Sequence, residues 1–125
     1  MGEKTILLID DAGAYRYVLS FDLKKKGYKT LSAHNGEKGI ELAENNIPDL
    51  ILLDVMMPGK INGFETCQKL KSQEKTKDIP IVLVTARDDP DDIRKSVELG
   101  ASGYVVKPFA FKELLVKILE LIGEA

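Results

Sequence analysis

The sequence predicts an α/β domain, a parallel sheet with helices covering both faces. Short aliphatic runs recur along the chain: TILLI (5–9), TLSA (30–33), LILL (50–53), IVLV (81–84) and YVV (104–106). The longer segments between them carry apolar residues at i, i+3 and i+4, which puts one apolar face on a helix. Near-continuous apolar strands alternating with helices are characteristic of a parallel sheet buried on both sides, and right-handed crossovers then leave few topologies.

The elements follow in order. TILLI is the first strand, and Tyr15, Val18, Leu19 and Leu23 mark the apolar face of the first helix. That helix closes on KKKG (24–27), where cations suit the helix dipole and a glycine suits the stop. TLSA is the second strand, and Gly36 stands where the second helix, marked by Ile40 and Ala43, should start. LILL precedes a third helix on Phe64, Cys67 and Leu70, which makes Cys67 a core residue. IVLV precedes a fourth helix whose apolar face is Ile93 and Val97, with Gly100 at its end. Asp88, Asp89, Asp91 and Asp92 before it read as a solvated capping cluster. YVV leads to a last helix on Phe111, Leu114, Leu115, Ile118 and Ile122.

The 125 residues suit a single domain, 1–125, with no linker or low-complexity tract. With 44% hydrophobic and 30% charged residues the chain reads as globular. A net charge of -2 supplies no basic footprint for direct nucleic-acid binding. No apolar run reaches the ~20 residues that span a bilayer, and MGEKTILLID lacks the features of a signal peptide. The lone Cys67 allows no internal disulfide, which fits a cytoplasmic protein. His34 has no partner at ligand spacing and reads as a loop residue.

Asp10 and Asp11 follow the first aliphatic run, Asp54 the third, Thr85 the fourth and Lys107 the fifth. In a parallel sheet all these ends lie on one edge, and ligands bind there. Carboxylates brought together repel and raise one another's pKa values, and a hard divalent cation such as Mg²⁺ removes the conflict. Lys107 adds a second positive charge able to pair with Asp54 at rest, and Thr85 adds a hydroxyl. Such a set suits a carboxylate nucleophile that accepts a phosphoryl group.

LLIDDAGAYRYVL, LILLDVMMP, IVLVTA and GYVVKPF together resemble the response-regulator receiver domain of two-component signalling, from Lys4 to about Ile122. The resemblance implies a CheY-like, flavodoxin-like (βα)5 fold with sheet order 2-1-3-4-5. It implies that Asp54 is the phosphoacceptor and that Asp11 binds Mg²⁺ directly. Asp10 would act nearby, often through water, and the backbone carbonyl of Met56 would be a further ligand. Lys107 would hold the phosphoryl group and Thr85 would move to hydrogen-bond it. Ala86 would leave room for that group, Tyr104 would change rotamer with Thr85, and the Lys107–Pro108 bond would be cis. Met56 and Arg87 occupy the positions that tune phosphoryl lifetime in the family. The implied partners are a sensor histidine kinase or phosphotransfer protein, and a downstream protein that reads the face built by the fourth helix, fifth strand and fifth helix. A phosphorylation-dependent homodimer through that face is left open. The chain would be a signalling receiver rather than an enzyme, catalysing only its own phosphorylation and dephosphorylation. No output domain is expected within these residues. They would be either a stand-alone regulator or a receiver excised from a larger protein.

One departure stands beside the site. The stretch from Pro58 to Gly63 is one residue longer than the commonest family form, DxxMPxxxG. A rival reading keeps the fold but not the chemistry: a receiver-like interaction module that never uses phosphate. A phosphohydrolase is disfavoured because Asp10-Asp11-Ala12 supplies no DxD, and a dinucleotide site because no GxGxxG follows the first strand.

Overall fold

The computed structural model describes residues 3–57 and 59–125. Five strands and five helices alternate: β1 Thr5–Ile9, α1 Gly13–Lys25, β2 Lys29–Ala33, α2 Gly36–Asn46, β3 Leu50–Leu53, α3 Gly63–Lys71, β4 Ile81–Thr85, α4 Pro90–Glu98, β5 Gly103–Val106 and α5 Phe111–Ile122. All strand pairs are parallel and the order is β2-β1-β3-β4-β5. The order expected from the family resemblance is the order observed.

Side chains alternate across the strands and divide the core into two layers. Leu7, Ile9, Ile51, Leu53, Ile81 and Leu83 meet Ala43, Phe64, Cys67 and Leu70 from α2 and α3. Ile6, Leu8, Leu50, Leu52, Val82 and Val84 meet Leu19, Leu23, Leu114 and Ile118 from α1 and α5. Nearly every residue of β1, β3 and β4 is therefore buried, which is why those runs read as continuous rather than alternating.

The caps follow local chemistry. Asn35 and Asn62 accept hydrogen bonds from the backbone at the starts of α2 and α3, and Glu65 closes a capping box on Asn62. Asp89 caps α4 ahead of Pro90, and Gly27 turns the chain out of α1 with φ at 95°.

Two helices differ from the expected faces. In α1, Leu19 and Leu23 are buried but Val18 is exposed. In α4 the pattern is inverted: Ile93 and Val97 are 38% and 69% exposed, while Asp92 and Ser96 are buried. The reason lies in the preceding loop. Arg87 brings its guanidinium to Asp92, and a paired carboxylate can be buried where a free one cannot. Asp92 is thus not part of a solvated cluster, although Asp88, Asp89 and Asp91 are exposed. In the loop before α3, Pro58 lies outside the described residues. The extended loop ends with the Gly63 amide donating to the Val55 carbonyl at 2.9 Å.

Candidate functional site

The sheet ladder carries two aspartates to one level. The Asp10 amide donates to Ala33 and the Asp54 amide donates to Ile9, so backbone pairing runs one residue past each strand. Their side chains then rise side by side from adjacent strands, only 5% and 7% exposed. Asp11, next along, is exposed at the rim. One carboxylate oxygen from each of Asp10, Asp11 and Asp54 lies within 4.8 Å of the other two.

Each buried carboxylate is held at both ends. Asp10 accepts from the Ala12 amide at 2.9 Å and from Lys107 Nζ at 2.9 Å. Asp54 accepts from the Met56 amide at 3.1 Å, and its second oxygen lies 3.5 Å from Lys107 Nζ. Lys107 therefore lies closer to Asp10 than to Asp54, the partner expected from the sequence. Its ammonium also sits over the Tyr15 ring of α1, 4.1 Å from the centroid, on the side of the crevice where α1 begins. The Lys107 amide donates to the Thr85 carbonyl at 2.7 Å, and the Lys107–Pro108 bond is cis.

Burial pushes the Asp54 carboxyl above the usual carboxylate range; the Met56 amide and Lys107 oppose the shift and Asp10 adds to it. Three clustered carboxylates beside this ammonium form an acidic pocket of hard oxygen donors, the donor set that suits a small divalent cation.

A second group of residues lies along the β4 end. Thr85 is fully buried, with its hydroxyl 3.4 Å from the Arg87 amide. Tyr104 is half-buried against the α2–α3 layer, and its hydroxyl donates to the Arg87 carbonyl at 2.7 Å. Ala86, Lys107, Pro108 and Phe109 line an open cleft of about 510 Å³ that continues along α1 past Tyr15. His34 is exposed in its loop, and Cys67 is a buried free thiol whose pKa burial raises.

The structure brings Asp10, Asp11, Asp54 and Lys107 into one crevice, with Met56 and Thr85 attached through the backbone. Tyr104 reaches the same edge through Arg87. Sequence reasoning missed three features here. The Arg87–Asp92 pairing had no signal beyond an arginine two residues after Thr85. Tyr15 was read only as core. Gly63 was read only as the end of the lengthened loop, yet a Cβ there would stand 2.2 Å from the Asp54 carbonyl oxygen.

A doubly wound sheet with an acid-and-lysine crevice at its carboxyl edge defines a recognisable class of α/β domain. Residues 6–119 match the family described as the response regulator receiver domain, and the chain belongs to that family. The transcriptional regulatory protein AfsQ1 of Streptomyces coelicolor is 42% identical over 114 residues, 91% of this chain and 49% of that protein. The phosphate regulon transcriptional regulatory protein PhoB of Pseudomonas aeruginosa is 39% identical over 115 residues, 92% of this chain and 50% of that protein. This chain thus spans about half the length of the curated relatives it matches. The chemotaxis protein CheY4 of Vibrio cholerae superposes with a TM-score of 0.90 at 29% identity, over 96% of this chain and 99% of that one. A CheY-like receiver domain protein from Methanospirillum hungatei gives 0.88 at 28% identity, over 95% and 93%. The chain is a receiver domain of a response regulator, and no helix among its described residues is long and apolar enough to cross a membrane.

Proposed function

We propose that this receiver takes a phosphoryl group from a histidine kinase or phosphotransfer protein onto Asp54 and uses it to switch a protein-binding face. The observation that carries the reading is Lys107 Nζ set between Asp10 and Asp54 beside Asp11, a charge arrangement built around one carboxylate oxygen.

Asp54 uses one oxygen to accept from Met56 and presents the other toward Lys107. That second oxygen attacks the phosphorus of a phosphohistidine. The new O–P bond forms as the P–N bond breaks, and the imidazole leaves with its electron pair. Asp10, Asp11, Asp54 and the Met56 carbonyl would hold Mg²⁺, which when bound neutralises phosphoryl-oxygen charge. Lys107 neutralises a further phosphoryl oxygen and Thr85 turns its hydroxyl to donate to it. Exposed Ala86, beside Lys107 and Pro108, leaves the approach open. Water later attacks the phosphorus and returns Asp54 to a free carboxylate.

The switch follows from the β4 end. Movement of Thr85 draws on the loop that holds Arg87, whose carbonyl is the partner of the Tyr104 hydroxyl. Tyr104 then leaves that carbonyl and changes rotamer, and the face of α4, β5 and α5 is remodelled. Ile93 and Val97 of α4 and Leu119 of α5 are already exposed there, as a surface awaiting a downstream protein or a second copy requires. The transcriptional role of the relatives comes to this chain as part of the same proposal, as does a cytoplasmic location. The intact charge set speaks against a module that ignores phosphate.

The test is intact mass after incubation with acetyl phosphate. A gain of one phosphoryl group that requires Mg²⁺ supports the reading. No gain, with Mg²⁺ binding confirmed by calorimetry, favours the phosphate-independent module.

A further inference from the structure

We infer that Tyr15 is a positioning residue for Lys107, its ring face fixing the ammonium over the acidic crevice. The inference rests on the proposed phosphoacceptor reading and adds a residue to it.

A lysine side chain carries large rotamer freedom, and its ammonium is a point charge with no geometry of its own. Three contacts restrain it here: Asp10 at 2.9 Å, Asp54 at 3.5 Å and the Tyr15 ring centroid at 4.1 Å. The two carboxylates belong to the cluster that suits a cation. The ring is the neutral contact of the three, so a cation held by the carboxylates does not take its place beside Lys107. An aromatic face attracts an ammonium at this distance through its quadrupole.

The ring is itself held. Phe109, two residues beyond Lys107, packs against Tyr15 in a T-shaped pair with centroids 6.4 Å apart and planes at 81°. One short segment after β5 thus contacts the ring through both Lys107 and Phe109. The phenol hydroxyl is buried and has no hydrogen-bond partner among the described residues. The useful contact is therefore the ring face and not the hydroxyl, so a phenylalanine should serve equally well.

The test compares Tyr15→Phe and Tyr15→Leu with wild type in the full chain, with Tyr15→Met as a second ring-free variant. The Lys107 ε-methylene resonance, assigned by its loss in Lys107→Arg, reads the stacking through the ring-current shift. It should be displaced upfield in wild type and Tyr15→Phe, with and without Mg²⁺, and return to the ordinary lysine position in the ring-free variants. The rate constant for phosphorylation by acetyl phosphate at saturating Mg²⁺ should match wild type in Tyr15→Phe and fall by about fivefold to thirtyfold in Tyr15→Leu. A Tyr15→Leu rate equal to wild type overturns the inference, and so does a Tyr15→Phe rate as low as that of Tyr15→Leu. An ordinary Lys107 shift in wild type also overturns it. Wild type that takes up no phosphoryl group defeats the proposed function instead, and the shift still decides whether Tyr15 holds Lys107.

Discussion

Arg87 grips Asp92 with two hydrogen bonds, from Nε at 2.7 Å and from Nη2 at 3.0 Å. The same arginine accepts the Tyr104 hydroxyl on its carbonyl oxygen at 2.7 Å. One loop residue therefore ties the end of β4 to the first turn of α4 and to β5. Asp92 is mostly buried and Arg87 about half-exposed, which sets the pair between a surface and a buried ion pair. Arg87→Ala leaves the Asp92 carboxylate unpaired and is expected to cost about 1–3 kcal/mol in urea denaturation. In a double-mutant cycle with Asp92→Asn the coupling should be about 1 kcal/mol. Additive effects would show that the pair holds nothing.

Asp54 links the chemistry of the site to stability. Burial raises its pKa in the folded chain above the ordinary 3.8, so between those two values the folded state binds more protons than the unfolded state. Stability then falls as pH rises through that window, and the cost is fully present above the folded pKa. In the presence of a chelator, Asp54→Asn should raise the Tm at pH 7. The difference from wild type should shrink as the pH falls toward the ordinary carboxylate range. Thermal melts across pH check both parts, and a lower Tm for Asp54→Asn at pH 7 would contradict them.

Lys107 stands against two buried carboxylates, so Lys107→Met should destabilise the chelator-treated protein by about 1–3 kcal/mol. Mg²⁺ held in the acidic pocket of the folded state would stabilise it by linkage and restore positive charge at the cluster. Added Mg²⁺ should therefore raise the Tm of Lys107→Met by more than that of wild type. Equal rises would separate the lysine from the acidic pocket.

Gly63 and Gly13 each open a helix but in different surroundings. A Cβ on Gly63 would lie 2.2 Å from the Asp54 carbonyl oxygen and 2.5 Å from the Val55 Cα, both backbone atoms that cannot step aside cheaply. On Gly13 the nearest contact is the flexible Arg16 guanidinium at 3.7 Å. Gly63→Ala should cost about 1–3 kcal/mol or more and slow phosphorylation, because the strand end carrying Asp54 must shift. Gly13→Ala should be neutral or stabilise by about 0.4–1 kcal/mol. Chemical denaturation of the two variants side by side decides it.

The sheet was legible because β1, β3 and β4 are buried on both faces, which leaves uninterrupted aliphatic runs in the sequence. The site carboxylates were legible for the same reason, since each follows such a run directly. The face of α4 was not. Apolar spacing cannot tell a side chain that faces the core from one kept outside for a partner, and Ile93 and Val97 are exposed. Nor can spacing show that a loop arginine neutralises Asp92 and allows its burial. The ring contact of Tyr15 with Lys107 joins residues far apart in the chain, and the backbone approach at Gly63 depends on the path of the loop before α3, so only the folded geometry reveals either.

Borohydride reduction of the acyl phosphate, followed by peptide mass analysis, locates the phosphorylated carboxylate. After acetyl phosphate and Mg²⁺, residue 54 alone should be recovered as homoserine, with no conversion when Mg²⁺ is withheld. Homoserine at position 10 or 11, or none at any position in protein shown to bind Mg²⁺, would contradict the assignment of Asp54 as the phosphoacceptor.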